Sequence, residues 1–416
     1  MSACGCDGHG HSLRPVDQAI AELLSRVPAA LPSEFIALSE AGGRVLAEDV
    51  RAPRPMPAWD NSAMDGYALR AADVPADGGW LPLAGRIAAG DSGLQPLPLG
   101  HAVRIFTGAP LPPGADSVVA QEQAQEQAQE EGEEVRLPAT PLGSHVRRCG
   151  EEFAVDSCVL QAGQRLRPQE LGLLASLGVA EVRVHRRLRV GLLSSGNELR
   201  EPGEALQAGQ IYNANRYSIG AVLRGLGCEV DDSVLLRDEL GASRAALRLA
   251  AAQCDVLVSS GGVSVGEEDH LKHAVSELGE LQLWRLAIQP GKPLAFGHVC
   301  GTPWIGLPGN PAAALITALV VARPYLLRAQ GCRDVMPQPL RIAAGFSWDR
   351  ANSRRQYLRA RLHPTGGQLN AVLHPKQGSA MLTAACWADG LAIVECQRTL
   401  AAGELIDFLP FDSLLH

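Results

Sequence analysis

No apolar run in this chain approaches the ~18 residues that a membrane-spanning helix requires. The longest, Ala312 to Ala322, is short and has a threonine inside it. The first residues carry Cys, Gly and His where a signal peptide would place charge and then an apolar stretch. A soluble, cytoplasmic protein without membrane contact is therefore expected. Basic charge is not in excess: 37 Lys+Arg against 45 Asp+Glu leaves a net charge of −8, which disfavours general binding of nucleic acid. The ten cysteines contain no CxxC pair and do not form the pattern of a disulfide framework. Cys228, Cys254 and Cys300 lie in or beside apolar segments, where small core residues are expected. A P-loop is missing too, because Gly291-Lys292 is followed by Pro293, and no G-x-G-x-x-G follows a strand.

What is present is a chain of 416 residues with 46% apolar and 20% charged residues, enough to bury sizeable cores. Disorder throughout and a coiled coil are both excluded. At about 150 residues per domain, roughly three domains are expected, with two or four allowed. Residues 1–12 form a glycine-rich tail with Cys4, Cys6, His9 and His11, soft ligand types able to hold a metal but read here as a flexible terminus.

The pattern PVDQAIAELLSR from Pro15 to Arg26 repeats apolar residues at helical spacing. Residues 51–57, rich in proline, are an extended connector and a candidate boundary. Short strands broken by Gly, Pro and Asp then run from Tyr67 to Ala120. The Gln/Glu/Ala run from Gln121 to Glu134 suits an exposed hairpin tip or a short helix. The texture implies a discontinuous N-terminal domain (13–50 plus 148–186) enclosing a small β-rich domain (51–147). From residue 187 to 332, strands alternate with helices, the mark of a three-layer α/β domain with a mostly parallel sheet. Residues 333–416 return to β texture.

In open α/β sheets, ligands bind beyond the carboxyl ends of the strands. Glu198, Asp238 and Asp269 each follow a strand, and carboxylates held together remain ionised beside a cation such as Mg²⁺. Ser260-Gly261-Gly262 and Leu307-Pro308-Gly309-Asn310-Pro311 reach the same edge. Asn310 is placed to cap the helix that Pro311 begins, leaving backbone N–H groups for an anion. Arg285 and Lys292 add positive charge. Metal carboxylates beside oxyanion donors point to phosphate or another oxyanion handled with Mg²⁺. A competing pattern is Gly262-Val-Ser264-Val-Gly266, a G-x-S-x-G elbow with His273 or His298 downstream, although Ser260-Gly261-Gly262 displace the serine from the strand end. His270 and His273 could ligate a metal, but a solvated helix face fits them better. The dense polar loop from Trp59 to Tyr67 has the composition of a functional loop, and Arg147 to Glu152 that of a surface ion-pair cluster.

Taken together, DNSAMDGYA (60–68), RIFTGAPLPPGAD (104–116), SSGNEL (194–199), GQIYNANRY (209–217), SSGGVSVGEED (259–269), PGKP (290–293) and GLPGNP (306–311) resemble the MoeA family, which includes the E domain of gephyrin. The resemblance spans essentially the whole chain after its first dozen residues. It implies a molybdopterin molybdenumtransferase that cleaves adenylylated molybdopterin, releases AMP and inserts molybdate at the dithiolene with Mg²⁺. By motif, Asp238 and Asp269 would hold Mg²⁺ with Glu198 beside them. Ser260, Gly261, Gly262, Arg285, Gln289 and Lys292, with Pro308 and Pro311, would face the pterin and molybdate. Asp65, Thr107, Arg147 and Glu152 would be the contribution of the first two domains, and Arg359 and Ser379 that of the last.

The resemblance further implies an elongated homodimer, with the active site between the α/β domain of one subunit and the small β domain of the other. Partners would be the preceding adenylyltransferase and acceptor molybdoenzymes. Many relatives have Lys where this chain has Arg285 and Gln289, Asp where it has Glu152 and Asn197, and Ser where it has Ala313. The first keeps its charge, whereas Gln289 removes a cation near the oxyanion site and Ala313 a hydroxyl.

Overall fold

The computed structural model describes residues 13–29, 31–91, 95–129, 132–236, 239–262 and 270–415. It opens with the helix Val16–Ser25, whose buried stripe is Val16, Ala19, Ile20 and Leu23. These side chains join the core of the α/β domain and leave the β-rich segments that follow the helix in sequence. Strand Ser33–Ala37 pairs antiparallel with Glu181–His185, and Val50–Arg51 with Cys158–Leu160. Residues on both sides of the 51–147 segment therefore share one core, built on Leu46, Leu160, Leu166, Leu174 and Val184.

Within that segment lies a six-stranded sheet in the order Ser117–Ala120, Gly66–Leu69, Ala102–Ile105, Gly79–Ile87, Gly132–Leu137, Gln125–Gln129. The glutamine-rich run takes the hairpin form: Gln125–Gln129 folds back antiparallel on Gly132–Leu137 at the sheet's edge. Solvated polar side chains suit an edge strand, since they blunt pairing with other chains.

The α/β domain holds a second six-stranded sheet. Its order is Glu229–Leu236, Arg189–Ser195, Val256–Ser260, Thr302–Leu307, Pro293–Val299, Gly279–Arg285. Pro293–Val299 runs against both neighbours, and the first four strands are parallel. Alternation along each strand sends side chains to two cores. Val190, Leu192, Val256 and Val258 face one layer, whereas Leu193 and Leu257 face the helices Leu240–Gln253 and His270–Leu278. Cys228 and Cys254 are buried as expected, and burial pushes the Cys228 thiol up to about 12. Cys300 is exposed, contrary to expectation: it and Gly301 have φ of 51° and 88° in the two-residue turn between Pro293–Val299 and Thr302–Leu307. A tight hairpin turn needs left-handed residues and carries them at the surface.

Pro311–Ala329 is continuous helix for 19 residues, longer than the apolar run marked it, and 89% buried. By length and composition it matches a membrane span, yet it is the central core helix of this domain. It widens to a π-turn at Ala318–Ala322, just before Pro324. Proline offers no N–H to the preceding turn, and the π-turn absorbs that missing bond. Beside it the buried Arg323 donates to the carbonyls of Leu414 (2.8 Å), Val335 (2.9 Å) and Ser413 (3.3 Å). Burial lowers its guanidinium pKa to about 10, so it remains charged at neutral pH.

The last domain is a closed barrel. Arg355–Thr365, Gln368–Leu373, Leu340–Ala344, Leu405–Pro410 and Gly390–Val394 follow one another, and Gly390–Val394 pairs back to Arg355–Thr365. A sixth, two-residue strand, Ile288–Gln289, belongs to the α/β domain by sequence but joins this sheet in parallel register with Arg355 and Gln356. That graft fastens the barrel to the carboxyl edge of the α/β sheet.

Candidate active site

Ser195, Leu236, Ser260 and Leu307 lie side by side at the carboxyl edge of the parallel strands. The loops leaving this edge and the barrel loop 377–379 enclose a cleft of about 700 Å³. Glu198, Ser260, Gly261, Gly262, Gln289, Lys292, Pro308, Pro311 and Ser379 all line it, so the larger part of the expected set converges. The Lys292 ammonium makes no hydrogen bond or ion pair among the described residues, and Glu198 is the one carboxylate lining the described cleft. The Glu198 side chain folds over Gly196 so closely that a Cβ there would lie 2.4 Å from its Oε2. Gly261, with φ of 86°, passes so near Ser195 that a Cβ would meet its carbonyl at 2.9 Å. At Gly261 the obstacle is backbone, so close approach requires glycine there, whereas at Gly196 it is the backbone φ of 149° that favours glycine.

The two loops are laced together by a residue that sequence reasoning missed. Asn215, in the helix Ala214–Gly225, donates from Nδ2 to Ser260 Oγ and to the Gly309 carbonyl, each at 2.7 Å. Its Oδ1 and the Oε1 of Gln289 are buried without a partner, two acceptors set into the cleft wall. The NANRY motif held Asn215 in view, but its target lies two loops away in sequence.

The backbone donors depart from expectation. Asn310 makes no side-chain cap; its Nδ2 donates to Ser379 Oγ at 3.2 Å. The Ala313 N–H donates to the Ser379 carbonyl at 2.9 Å, and the Gly261 N–H to the Leu307 carbonyl at 3.2 Å. The first is taken by the barrel loop docking on the helix start, and the second by the neighbouring strand Thr302–Leu307. Pro311 does occupy the first turn as anticipated.

One wall of the cleft is the barrel of the same chain, held there through the Ile288–Gln289 graft. Arg359 is fully buried behind that wall. Its Nη2 donates to the Gly378 carbonyl at 2.9 Å, and its backbone exchanges bonds with the Gln377 amide, so it supports the 377–379 loop from behind. Arg285 ends its strand at this edge without lining the cleft.

Asp65, Thr107, Arg147 and Glu152 do not line the cleft. Thr107 donates its backbone N–H and its hydroxyl to Asp65 Oδ1, both at 2.7 Å, and the backbone bond is the main reason the carboxyl sits below its ordinary pKa. The expected ion-pair cluster is present nearby: Asp60 accepts from the Cys149 N–H at 2.7 Å and from Arg148 at 2.6 Å.

Asp238, Asp269, Ser264 and the tail ligands Cys4, Cys6, His9 and His11 lie outside the described residues. Among the described residues no three His, Cys, Asp or Glu side chains cluster to hold a metal, so the described donors alone do not fit Mg²⁺. His273 and His298, the histidines of the elbow reading, do not line the cleft.

The topology and this cleft place the central domain in a recognised class: residues 191–328 match the family described as a probable molybdopterin binding domain. Residues 14–178 match the MoeA N-terminal region (domain I and II), and residues 341–411 the MoeA C-terminal region (domain IV). The chain is 38% identical over 403 residues to the molybdopterin molybdenumtransferase of Haemophilus influenzae, covering 96% of this chain and 99% of that one. It is 39% identical over 342 residues to molybdopterin molybdenumtransferase 2 of Mycobacterium tuberculosis, covering 80% and 84%. Among solved structures, a molybdopterin biosynthesis MoeA protein from Pyrococcus horikoshii superimposes with a TM-score of 0.74 at 29% identity, covering 96% and 99%. The chain belongs to the MoeA family of molybdopterin molybdenumtransferases.

Proposed function

We propose that this protein is a molybdenum insertase, cleaving adenylylated molybdopterin with release of AMP and inserting molybdate at the dithiolene to form molybdenum cofactor. The observation that carries this reading is the convergence of Lys292, Ser260, Gln289 and Ser379 in one polar cleft. The chemistry asked of the chain is positioning and charge neutralisation. Lys292 would stabilise charge on an oxyanion, the Ser260 and Ser379 hydroxyls would orient it, and the buried Oδ1 of Asn215 and Oε1 of Gln289 would accept from N–H groups of the pterin. Asp238 and Asp269, with Glu198, are proposed to hold Mg²⁺, which would neutralise the phosphoanhydride.

The protein is proposed to act in the cytoplasm as a homodimer. Asp65, Thr107, Arg147 and Glu152 would then serve the cleft of the second copy, since they do not line the cleft of their own chain. An adenylyltransferase would supply its substrate, and molybdoenzymes would receive its product. The test is AMP release from adenylylated molybdopterin by purified protein, with Mg²⁺, with and without molybdate. Release that requires both, with active cofactor formed, supports the insertase. Tight binding with no release under any condition overturns it in favour of a scaffold.

A further inference from the structure

Arg354 and Arg355 are adjacent and have opposite fates. Arg355 is committed to structure: its two terminal nitrogens donate to the Asp17 carboxylate at 2.8 and 2.7 Å, and its Nε to Glu395 at 2.8 Å. Arg354 has its backbone fixed on both sides, the N–H donating to Asn352 Oδ1 at 3.0 Å and the carbonyl accepting from Gln356 Nε2 at 2.8 Å. Its guanidinium has no partner among the described residues, and it lines the cleft. Arg354 stands in a bend just before the strand Arg355–Thr365, and the two neighbouring side chains part there, one joining the helix Val16–Ser25 and the other lining the cleft.

Lys292 enters the same cleft from the α/β domain, also unpaired among the described residues. The register of Ile288 with Arg355 and of Gln289 with Gln356 sets the two segments side by side. Two unpaired cations in one cleft repel each other, and an anion between them removes that cost. The Gly261 and Ala313 amides are already bonded within the protein, which leaves less of the anion's charge to backbone donors. A guanidinium offers a planar fork to a tetrahedral oxyanion, whereas an ammonium offers a point charge.

We propose that Arg354 is an anion-contacting residue of the cleft and that, with Lys292, it grips a tetrahedral oxyanion across the seam between the barrel and the α/β domain. This rests on the reading of the cleft as an oxyanion site. The oxyanion is either molybdate or a nucleotide phosphate, and both are tested.

The experiment is calorimetric titration of the full-length protein with sodium molybdate and, separately, with AMP, using wild type, R354Q, R354K, K292Q and R350Q. Arg350 is exposed and near in sequence, so R350Q changes net charge equally without touching the cleft. R354Q is expected to weaken one of the two anions about tenfold or more, R354K to restore part of it, and R350Q to leave it unchanged. A loss confined to molybdate assigns the grip to molybdate, and one confined to AMP assigns it to phosphate. Wild-type affinity in R354Q together with loss in K292Q overturns the role of Arg354 while the oxyanion reading stands. Absence of binding of either anion by wild type overturns both.

Discussion

Asp17 and Arg355, 338 residues apart in sequence, form a two-pronged ion pair with N–O distances of 2.8 and 2.7 Å. It ties the first helix of the chain to the barrel strand Arg355–Thr365, beside the strand that carries Gln289. Bonding to Arg355 holds the Asp17 carboxyl below its ordinary value of 3.8.

The pH response of that pair follows from the sign of the shift. A carboxylate with a depressed folded pKa stabilises the fold above its unfolded value, and the contribution disappears as pH falls through the folded value. Asp17 is largely exposed, so screening limits the pair to about 1 kcal/mol. Asp17→Asn is expected to lower the thermal midpoint at pH 7 and at low salt. The gap from wild type closes as pH drops below the unfolded carboxylate value. Thermal melts between pH 7 and pH 3 check this, and a gap that widens on acidification refutes it.

Arg323 satisfies three carbonyls at once, two of them in the last residues of the chain. Arg323→Ala leaves those acceptors unpaired inside the protein and opens a cavity, a combined cost of about 3 kcal/mol or more. The expected result is an earlier urea transition, read by intrinsic fluorescence. Arg323→Lys recovers only part of it, because an ammonium cannot reach three carbonyls from a planar fork.

Asn215 acts through Ser260 and Gly309. Asn215→Ala removes both bonds between the loops and is expected to slow AMP release about tenfold, equivalent to about 1.4 kcal/mol. The melting point should change little, since Asn215 is only partly buried. A large loss of stability with unchanged kinetics would show that the lacing supports the fold rather than the cleft.

The proposed homodimer, with residues shared between copies, is tested by mixing. Asp65→Asn and Lys292→Gln homodimers should each be inactive. Unfolded together and refolded as an equal mixture, they should regain about a quarter of the wild-type sites, because half the dimers are mixed and each has one intact pair. No recovery, with mixed dimers verified by mass, would place Asp65 and Lys292 in the same copy's site.

Motif spacing put Glu198, Ser260 and Pro308 at one sheet edge because each follows a strand there, and strand ends can be read from buried apolar runs; Lys292 came in through the PGKP segment and Gln289 through the family resemblance. Ser379 also reaches the cleft as expected, but the means of its arrival could not be read. A two-residue strand, Ile288–Gln289, is too short to leave a periodic signal, yet it decides where the barrel sits. Arg354 was illegible too: beside Arg355 it looks like one more surface charge until the partners of the two are known. One of the amides expected to be free after Asn310, that of Ala313, is taken because a distant loop, carrying Ser379, docks on it. Cys300 was misplaced by its apolar neighbours, whereas the turn it occupies depends on backbone conformation.

The helix Pro311–Ala329 has a consequence for how the chain is made. During synthesis it is the segment most easily mistaken for one bound for a lipid bilayer. Its packing partners Val16, Val190, Ile219, Val256 and Ile305 all precede it in the chain and so leave the ribosome before it does. A nascent chain that folds from its beginning therefore presents this segment with a prepared surface as it emerges. Later-made Tyr357 and Leu409 close over what remains. The order in which the chain is made thus shields the stickiest stretch of the protein for all but a brief interval.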